Sequence, residues 1–224
     1  MDVLSTPQVL AAIADGLGDW RRLAQPLAAR YRSADPRARA AFAAAVVEAG
    51  AAGGHEPAEV RVGRGFVDLA LVTVEEATGH RGVTVADLDL AGTATRLARE
   101  HGLIPAPGEV AQIELALDTA DDTAVSPFWS ALLTGEPGNV VHDTVFDPTD
   151  RVPSVWFQGT TPHDPPRQRW HLDLWLAPEV AQERIAAAVV AGGTVVDASE
   201  APSFTVLADP DGNHVCVCTA LDRA

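Results

Sequence analysis

Apolar residues along the chain follow two periods, and the switches between them mark out the elements. Val9, Leu10, Ile13 and Leu17 recur at helical spacing behind Ser5 or Thr6, with Pro7 tolerated in the first turn, so a helix is expected over residues 6–17. After Gly18-Asp19-Trp20, the stretch through Leu23, Leu27 and Tyr31 suits two short strands or a helix, and strands are the expectation. A second helix starts at Asp35-Pro36 and runs through the alanine-rich residues 37–52, with Phe42, Val46 and Val47 toward the core and Gly53-Gly54 as its stop. Val60 and Val62, then Val67, Leu69 and Leu71, alternate on either side of Gly63-Arg64-Gly65, which reads as a hairpin. A third helix has Thr84 as its cap and Asp87 in its first turn, and carries Leu88, Ala91, Thr95 and Leu97 up to Gly102. Pro105-Ala106-Pro107-Gly108 then breaks both periods, placing a boundary between a domain of residues 1–104 and one of residues 109–221.

The second half repeats itself. A strand over 109–118, a helix over 123–133 and strands around 140–146 and 155–158 are followed by the same order again: a strand over 169–176, a helix over 178–191 stopped by Gly192-Gly193, and strands at 194–196, 204–208 and 214–218. Two βαβββ units of equal size result. Such units pair their sheets into a half-open barrel with a concave face suited to a ligand. The strand 169–176 shows how: with a side-chain period of two, His171, Asp173 and Trp175 share one face, expected to line a cavity, while Leu172, Leu174 and Leu176 face helices. The fold class is therefore α+β.

Composition narrows the function. All sixteen cations are arginine against thirty-one carboxylates, a formal charge of −15, which argues against a nucleic-acid partner and, with no lysine present, against Schiff-base chemistry. No run approaches the roughly 18 apolar residues that span a bilayer, so no membrane partner is expected. The start, Met1-Asp2-Val3-Leu4-Ser5, lacks the pattern of a signal peptide, and a cytoplasmic protein is the expectation. Cys216 and Cys218 lie on one face of one strand, where a mutual disulfide would need strong distortion, and read as reduced thiols.

The second half, through Phe128-Trp129-Ser130-Ala131-Leu132-Leu133, Arg169-Trp170-His171-Leu172-Asp173-Leu174 and Ala208-Asp209-Pro210-Asp211-Gly212-Asn213, resembles the small glyoxalase-like and bleomycin-resistance-like members of the vicinal oxygen chelate superfamily. The resemblance implies a small-molecule ligand and, in metal-dependent members, a divalent ion held by the first and last strands of each unit. Matched residue by residue, the first ligand position falls on Glu114, with Gln112 as an alternative on the same face, and the third on His171. The fourth falls on Cys216 in place of a glutamate, and the second falls near Trp156 to Gln158, where there is no carboxylate. Too few oxygens remain for a hard ion, whereas Glu114, His171 and Cys216 would suit zinc. Trp156, His171, Asp173 and Trp175 are the other ligand-contact candidates, the indoles suiting a flat aromatic molecule and His171 equally a structural hydrogen bond to Asp173. Asp209-Pro210-Asp211-Gly212-Asn213 reads as a turn.

The first half resembles pterin-4a-carbinolamine dehydratase, also called 4a-hydroxytetrahydrobiopterin dehydratase, through Gly18-Asp19-Trp20, the helix containing Phe42, Gly54-His55-Glu56-Pro57, Leu71-Val72-Thr73 and Gly82-Val83-Thr84-Val85-Ala86-Asp87. That resemblance implies an antiparallel sheet with helices on one face and a lyase that removes water by histidine acid/base catalysis, work that imidazole does near neutral pH. His55 matches the first histidine of the family's His-His-Pro and Asp87 its carboxylate. Glu56 replaces the second histidine, Ala51 an acidic residue, and Thr73, Val74 or Thr78 the histidine at the strand end, with His80 close enough to substitute. Both resemblances imply a homodimer. A non-catalytic binder of a planar or oxygen-rich molecule, and a metal-dependent lyase or dioxygenase centred on Glu114 and His171, are the alternatives to a dehydratase.

Overall fold

The computed structural model describes residues 2–55, 59–75, 78–150, 152–161, 170–190, 192–208 and 214–223. They form two compact units, one from residues 1–75, 81–110 and 222–224 and one from residues 76–80 and 111–221.

In the first unit, α1 (Thr6–Ala14) follows Ser5, whose backbone N–H donates to the Gln8 side chain at 2.9 Å. The helix stops three residues short of the expected end, because Gly16 takes a φ of +139° and turns Leu17 back into the core. Strands β1 (Trp20–Arg22) and β2 (Leu27–Arg32) precede α2 (Pro36–Ala52), whose first turn is capped by Asp35 accepting from the Arg37 N–H at 2.8 Å. The hairpin β3 (Glu59–Gly63) and β4 (Phe66–Leu71) follows, then the short pair β5 (Thr73–Val74) and β6 (Arg81–Gly82), α3 (Val85–Glu100) and β7 (Ile104–Pro105). The order β1-β2-β4-β3 is antiparallel throughout, with β7 also on β2. Alternate residues explain the layering. Leu27, Ala29 and Tyr31 of β2 and Val67, Leu69 and Leu71 of β4 pack with Phe42 and Val46 of α2 and Leu90, Ala91 and Ala94 of α3. Arg30, Asp68 and Arg61 lie on the opposite face, Arg30 Nε being 2.5 Å from Asp68 Oδ1.

Tyr31 gives this core a pH limit. Its ring is fully buried, edge-on to Phe42 at 5.3 Å, and its hydroxyl lies 3.1 Å from Thr95 Oγ1. Burial, the largest cause, pushes its ionisation well above the usual phenol range. A group with a raised folded pKa contributes stability that is complete below the unfolded value, about 10 for tyrosine, and is lost as pH rises through the folded value. The urea midpoint of this unit should therefore fall above about pH 10, and Tyr31→Phe should flatten that fall. Tyr31 is the single tyrosine of the sequence, so its tyrosinate absorbance reports the titration directly; ionisation with an ordinary midpoint in the folded protein would contradict the burial argument.

The second unit begins with β8 (Ala111–Thr119) and α4 (Asp122–Thr134), capped by Asp121 and ended by Gly135 at a φ of +88°. The strands expected around 140–146 form a small hairpin, β9 (Val140–Val141) and β10 (Thr144–Val145), turned by His142 at a left-handed φ of 54°. Next come β11 (Val155–Gly159), β12 (Trp170–Leu176), α5 (Pro178–Val190), β13 (Thr194–Asp197), β14 (Phe204–Ala208) and β15 (His214–Cys218). All eight strands make one sheet of order β13-β14-β15-β12-β8-β11-β10-β9, which is open at both ends. Read outward from the middle, each repeat has the same order, β8-β11-β10-β9 and β12-β15-β14-β13, and the two first strands meet antiparallel over seven residue pairs.

Each repeat has its own apolar layer. Leu117, Val145, Val155 and Phe157 pack with Val125, Trp129 and Leu133 of α4, whereas Leu174, Leu176, Leu207 and Val217 pack with Ala181 and Ile185 of α5. The expectation that Leu172 also packs on a helix fails: it is 44 % exposed, and Ile113 on the adjoining strand is 47 % exposed, because the two helices cover separate halves of the sheet.

Candidate functional site

Strand register assembles the site on the face away from the helices. Opposed residues of paired strands project to one side. Cys216, Asp173 and Glu114 therefore form one row across β15, β12 and β8, and Cys218, Trp175 and Gln112 form the next. In a third row, Ala116 lies between His171 and Trp156, and its small side chain lets their rings meet edge-on at 5.7 Å.

The polar groups of this face are tied to one another. Trp175 Nε1–H donates to Glu114 Oε2 at 2.9 Å and Ser154 Oγ donates to Glu114 Oε1 at 2.8 Å, so Glu114, which is 6 % exposed, is held as a hydrogen-bond acceptor. Trp156 Nε1–H donates to Asp173 Oδ2 at 2.8 Å. His171 sits between two carboxylates, with Nε2 3.4 Å from Asp173 Oδ1 and Nδ1 3.9 Å from Asp118 Oδ1.

Among the described residues, one group of potential ligands converges: His171, Asp173 and Cys216 each present a donor atom, all within 4.8 Å of one another. Glu114, matched to a ligand position by resemblance, is not in that group, and Asp173, directly opposite Cys216, takes its place. Gln112 lies a row away, opposite Trp175. One imidazole nitrogen, one carboxylate oxygen and one thiol sulfur fit a borderline ion such as zinc and do not fit a hard ion that needs six oxygens. Bound there, such an ion would polarise a ligand oxygen as a Lewis acid.

A second constellation lies within the first unit. His55 Nε2 is 2.8 Å from Asp87 Oδ1, and Asp87 is fully buried. Its other oxygen accepts from Thr73 Oγ1 at 2.8 Å, from the Thr84 N–H at 2.8 Å and from Thr84 Oγ1 at 2.9 Å. Asp87 thus does two jobs, closing the capping box of α3 and fixing the His55 ring with the Nε2 hydrogen toward the carboxylate. Thr73, on a strand end where the resemblance implies a histidine, supplies a hydroxyl instead. His80 belongs to the second unit and stands edge-on to His142 at 5.8 Å. Glu56 lies outside the described residues, as does the turn 209–213.

Sequence reading missed Asp118. Its signal was present, since Glu114, Ala116 and Asp118 share one face at a period of two, but its value depends on the neighbour that pairing supplies, His171.

No helix among the described residues is long and apolar enough to cross a membrane. The chain matches no curated protein sequence. Residues 114–218, from the buried Glu114 to the end of β15, match the family model of a glyoxalase-like domain, and this supports a small-molecule-binding fold of the vicinal oxygen chelate type for the second half of the chain.

Proposed function

We propose that the second unit binds a planar, oxygen-bearing small molecule on the face shared by its two repeats, which curve into a half-open barrel around it. One observation carries this reading: two indoles are locked in place by carboxylates on that face, Trp156 by Asp173 and Trp175 by Glu114, with the His171 ring beside Trp156. Side chains whose rotamers are fixed by their neighbours lose little freedom when a ligand stacks on them, so the site is preorganised for flat molecules. Trp156 and His171 are partly exposed, and are the groups a ligand meets first. Catechol, a flat vicinal diol, should quench tryptophan fluorescence saturably, and His171→Ala should weaken its binding at least tenfold, about 1.4 kcal/mol. Strictly linear quenching by catechol and its larger fused-ring analogues would sink this reading.

A second reading rests on the His55–Asp87 contact. A histidine held by a fully buried carboxylate is arranged for proton transfer, and the reaction assigned to it here, dehydration of a 4a-hydroxytetrahydropterin, is taken from the resemblance of the first half alone. Protonated at both nitrogens, His55 would give its Nδ1 proton to the departing hydroxyl; water leaves, the ring nitrogen's lone pair forms the C=N bond, and the N–H proton passes to Nδ1, restoring His55. His55→Ala should then lower turnover about 10²–10⁴-fold, the usual worth of a general acid or base. Turnover by the unaltered protein no faster than in buffer would dispose of the claim.

A further inference from the structure

We propose that the N-terminal end of α2 in the first unit is a binding site for a phosphate-type oxyanion, with the Arg39 guanidinium as its buried cation and Arg37 and Arg64 beside it. His55 follows the other end of the same helix, roughly 25 Å away along 17 residues that rise about 1.5 Å each. The site therefore rests on neither reading given above.

The argument starts from a charge without a counter-charge. Arg39 is 9 % exposed, yet among the described residues no carboxylate pairs with it. Its Nη1 donates to the Ser33 carbonyl at 2.6 Å, while its Nε is buried and has no hydrogen-bond partner. Buried charges in proteins are paired, because leaving one unpaired costs several kcal/mol, and a guanidinium cannot escape that cost by losing its proton. The bond to Ser33, two residues before the Asp35 N-cap, folds the guanidinium back over the start of the helix.

The surroundings are those of an anion site. Pro36 has no N–H, the Arg37 N–H goes to Asp35 Oδ1 at 2.8 Å and the Arg39 N–H to the Asp35 carbonyl at 3.2 Å, which leaves the Ala38 N–H without a partner among the described residues. A helix start carries partial positive charge and favours anions, yet the first turn of α2 holds Arg37 and Arg39 and no acidic residue. The Ser33 N–H donates to the Gly65 carbonyl at 3.1 Å and so ties the Gly63-Arg64-Gly65 turn to the chain entering the helix. Arg37 and Arg64 are exposed and, among the described residues, have no ion-pair partner. Arg30 and Arg32, by contrast, are matched by Asp68 and Glu109. Asp35 is then the one carboxylate facing three guanidinium groups, in a chain whose net charge is −15. A dianion with several acceptor oxygens fits that excess better than a monoanion, and the Nε–Nη2 edge of a guanidinium matches two oxygens of a phosphate.

The test uses the full chain in chloride buffer, with inorganic phosphate as the probe. The Arg39 Nε–H is shielded from solvent and should give a side-chain resonance in nitrogen-15 NMR, identified by its loss in Arg39→Lys. Phosphate should shift that resonance saturably, and sodium chloride of equal ionic strength should not. By calorimetry, Arg39→Met should weaken phosphate binding about tenfold or more, the worth of a charge-assisted hydrogen bond. Arg37→Gln and Arg64→Gln, both at exposed positions, should each weaken it about two- to fivefold. Phenyl phosphate binding more tightly than phosphate assigns the site to an esterified phosphate and equal binding assigns it to the free anion; either result supports the site. Lack of saturable phosphate binding by the unaltered chain overturns it, whether or not any variant folds. Phosphate affinity unchanged in Arg39→Met, or, where that variant does not fold, unchanged in both glutamine variants, overturns the assignment of residues. An equal shift of the Arg39 resonance by acetate overturns the phosphate class.

Discussion

Replacing Phe42 by alanine should lower the unfolding free energy of the first unit by about 3–5 kcal/mol, the range for deleting a buried aromatic ring. Phe42 is fully buried and lies at the meeting point of the layers, edge-on to Tyr31 from β2 and beside Val46 on its own helix. The loss has two parts. Transfer of the ring out of the core accounts for much of it, and the space left behind accounts for the rest, because Tyr31 cannot move in to fill it while its hydroxyl stays with Thr95 and Asp19. Phe42→Leu keeps most of the volume and should cost less than half as much. Urea unfolding followed by circular dichroism measures both; a change below about 1 kcal/mol for Phe42→Ala would mean that the layers close over the gap.

The second large effect belongs to Asp87. Its carboxylate accepts from His55, Thr73 and both donors of Thr84, so Asp87→Ala strips the α3 cap and leaves several donors in a dry environment, at a cost of about 3 kcal/mol. Asp87→Asn keeps an oxygen for the Thr84 N–H and should recover about half of that. The two substitutions also separate stability from positioning. With aspartate present, the neutral His55 ring carries its hydrogen on Nε2; an asparagine amide can donate to that nitrogen and reverse the tautomer, and nitrogen NMR of the ring distinguishes the two forms. A His55 tautomer indifferent to Asp87→Asn would show that the contact does not orient the ring.

How much of this was legible in the sequence depended on range. Helix α2 was plain from Asp35-Pro36 at one end and Gly53-Gly54 at the other, because capping and stopping are local. The tandem repeat was plain because period and order are carried by apolar positions alone. Register was not legible: nothing near Asp173 or Cys216 says that they lie opposite one another, yet that pairing swaps Asp173 for Glu114 among the converging donors. For the same reason the shared face of His171, Asp173 and Trp175 could be read from strand period, whereas the hydrogen bond that commits Glu114 to Trp175 could not. The exact turn at His142 was not legible, since a non-glycine residue in the left-handed region makes the hairpin between the strands around 140–146 with no glycine or proline to announce it.

The bare strip along the middle of the second sheet, where Leu172 and Ile113 stand exposed between two helix-covered halves, bears on the mechanics of the unit. That strip is the β8·β12 ladder, held by hydrogen bonds with no helix packed across it, and it runs directly beneath the row that joins Glu114 to Asp173. A twist about it would change the spacing between Glu114 and Asp173 while leaving Asp173 and Cys216, both on the second half, in register. The converging donors His171, Asp173 and Cys216 all lie on one side of that ladder, and Glu114 lies on the other.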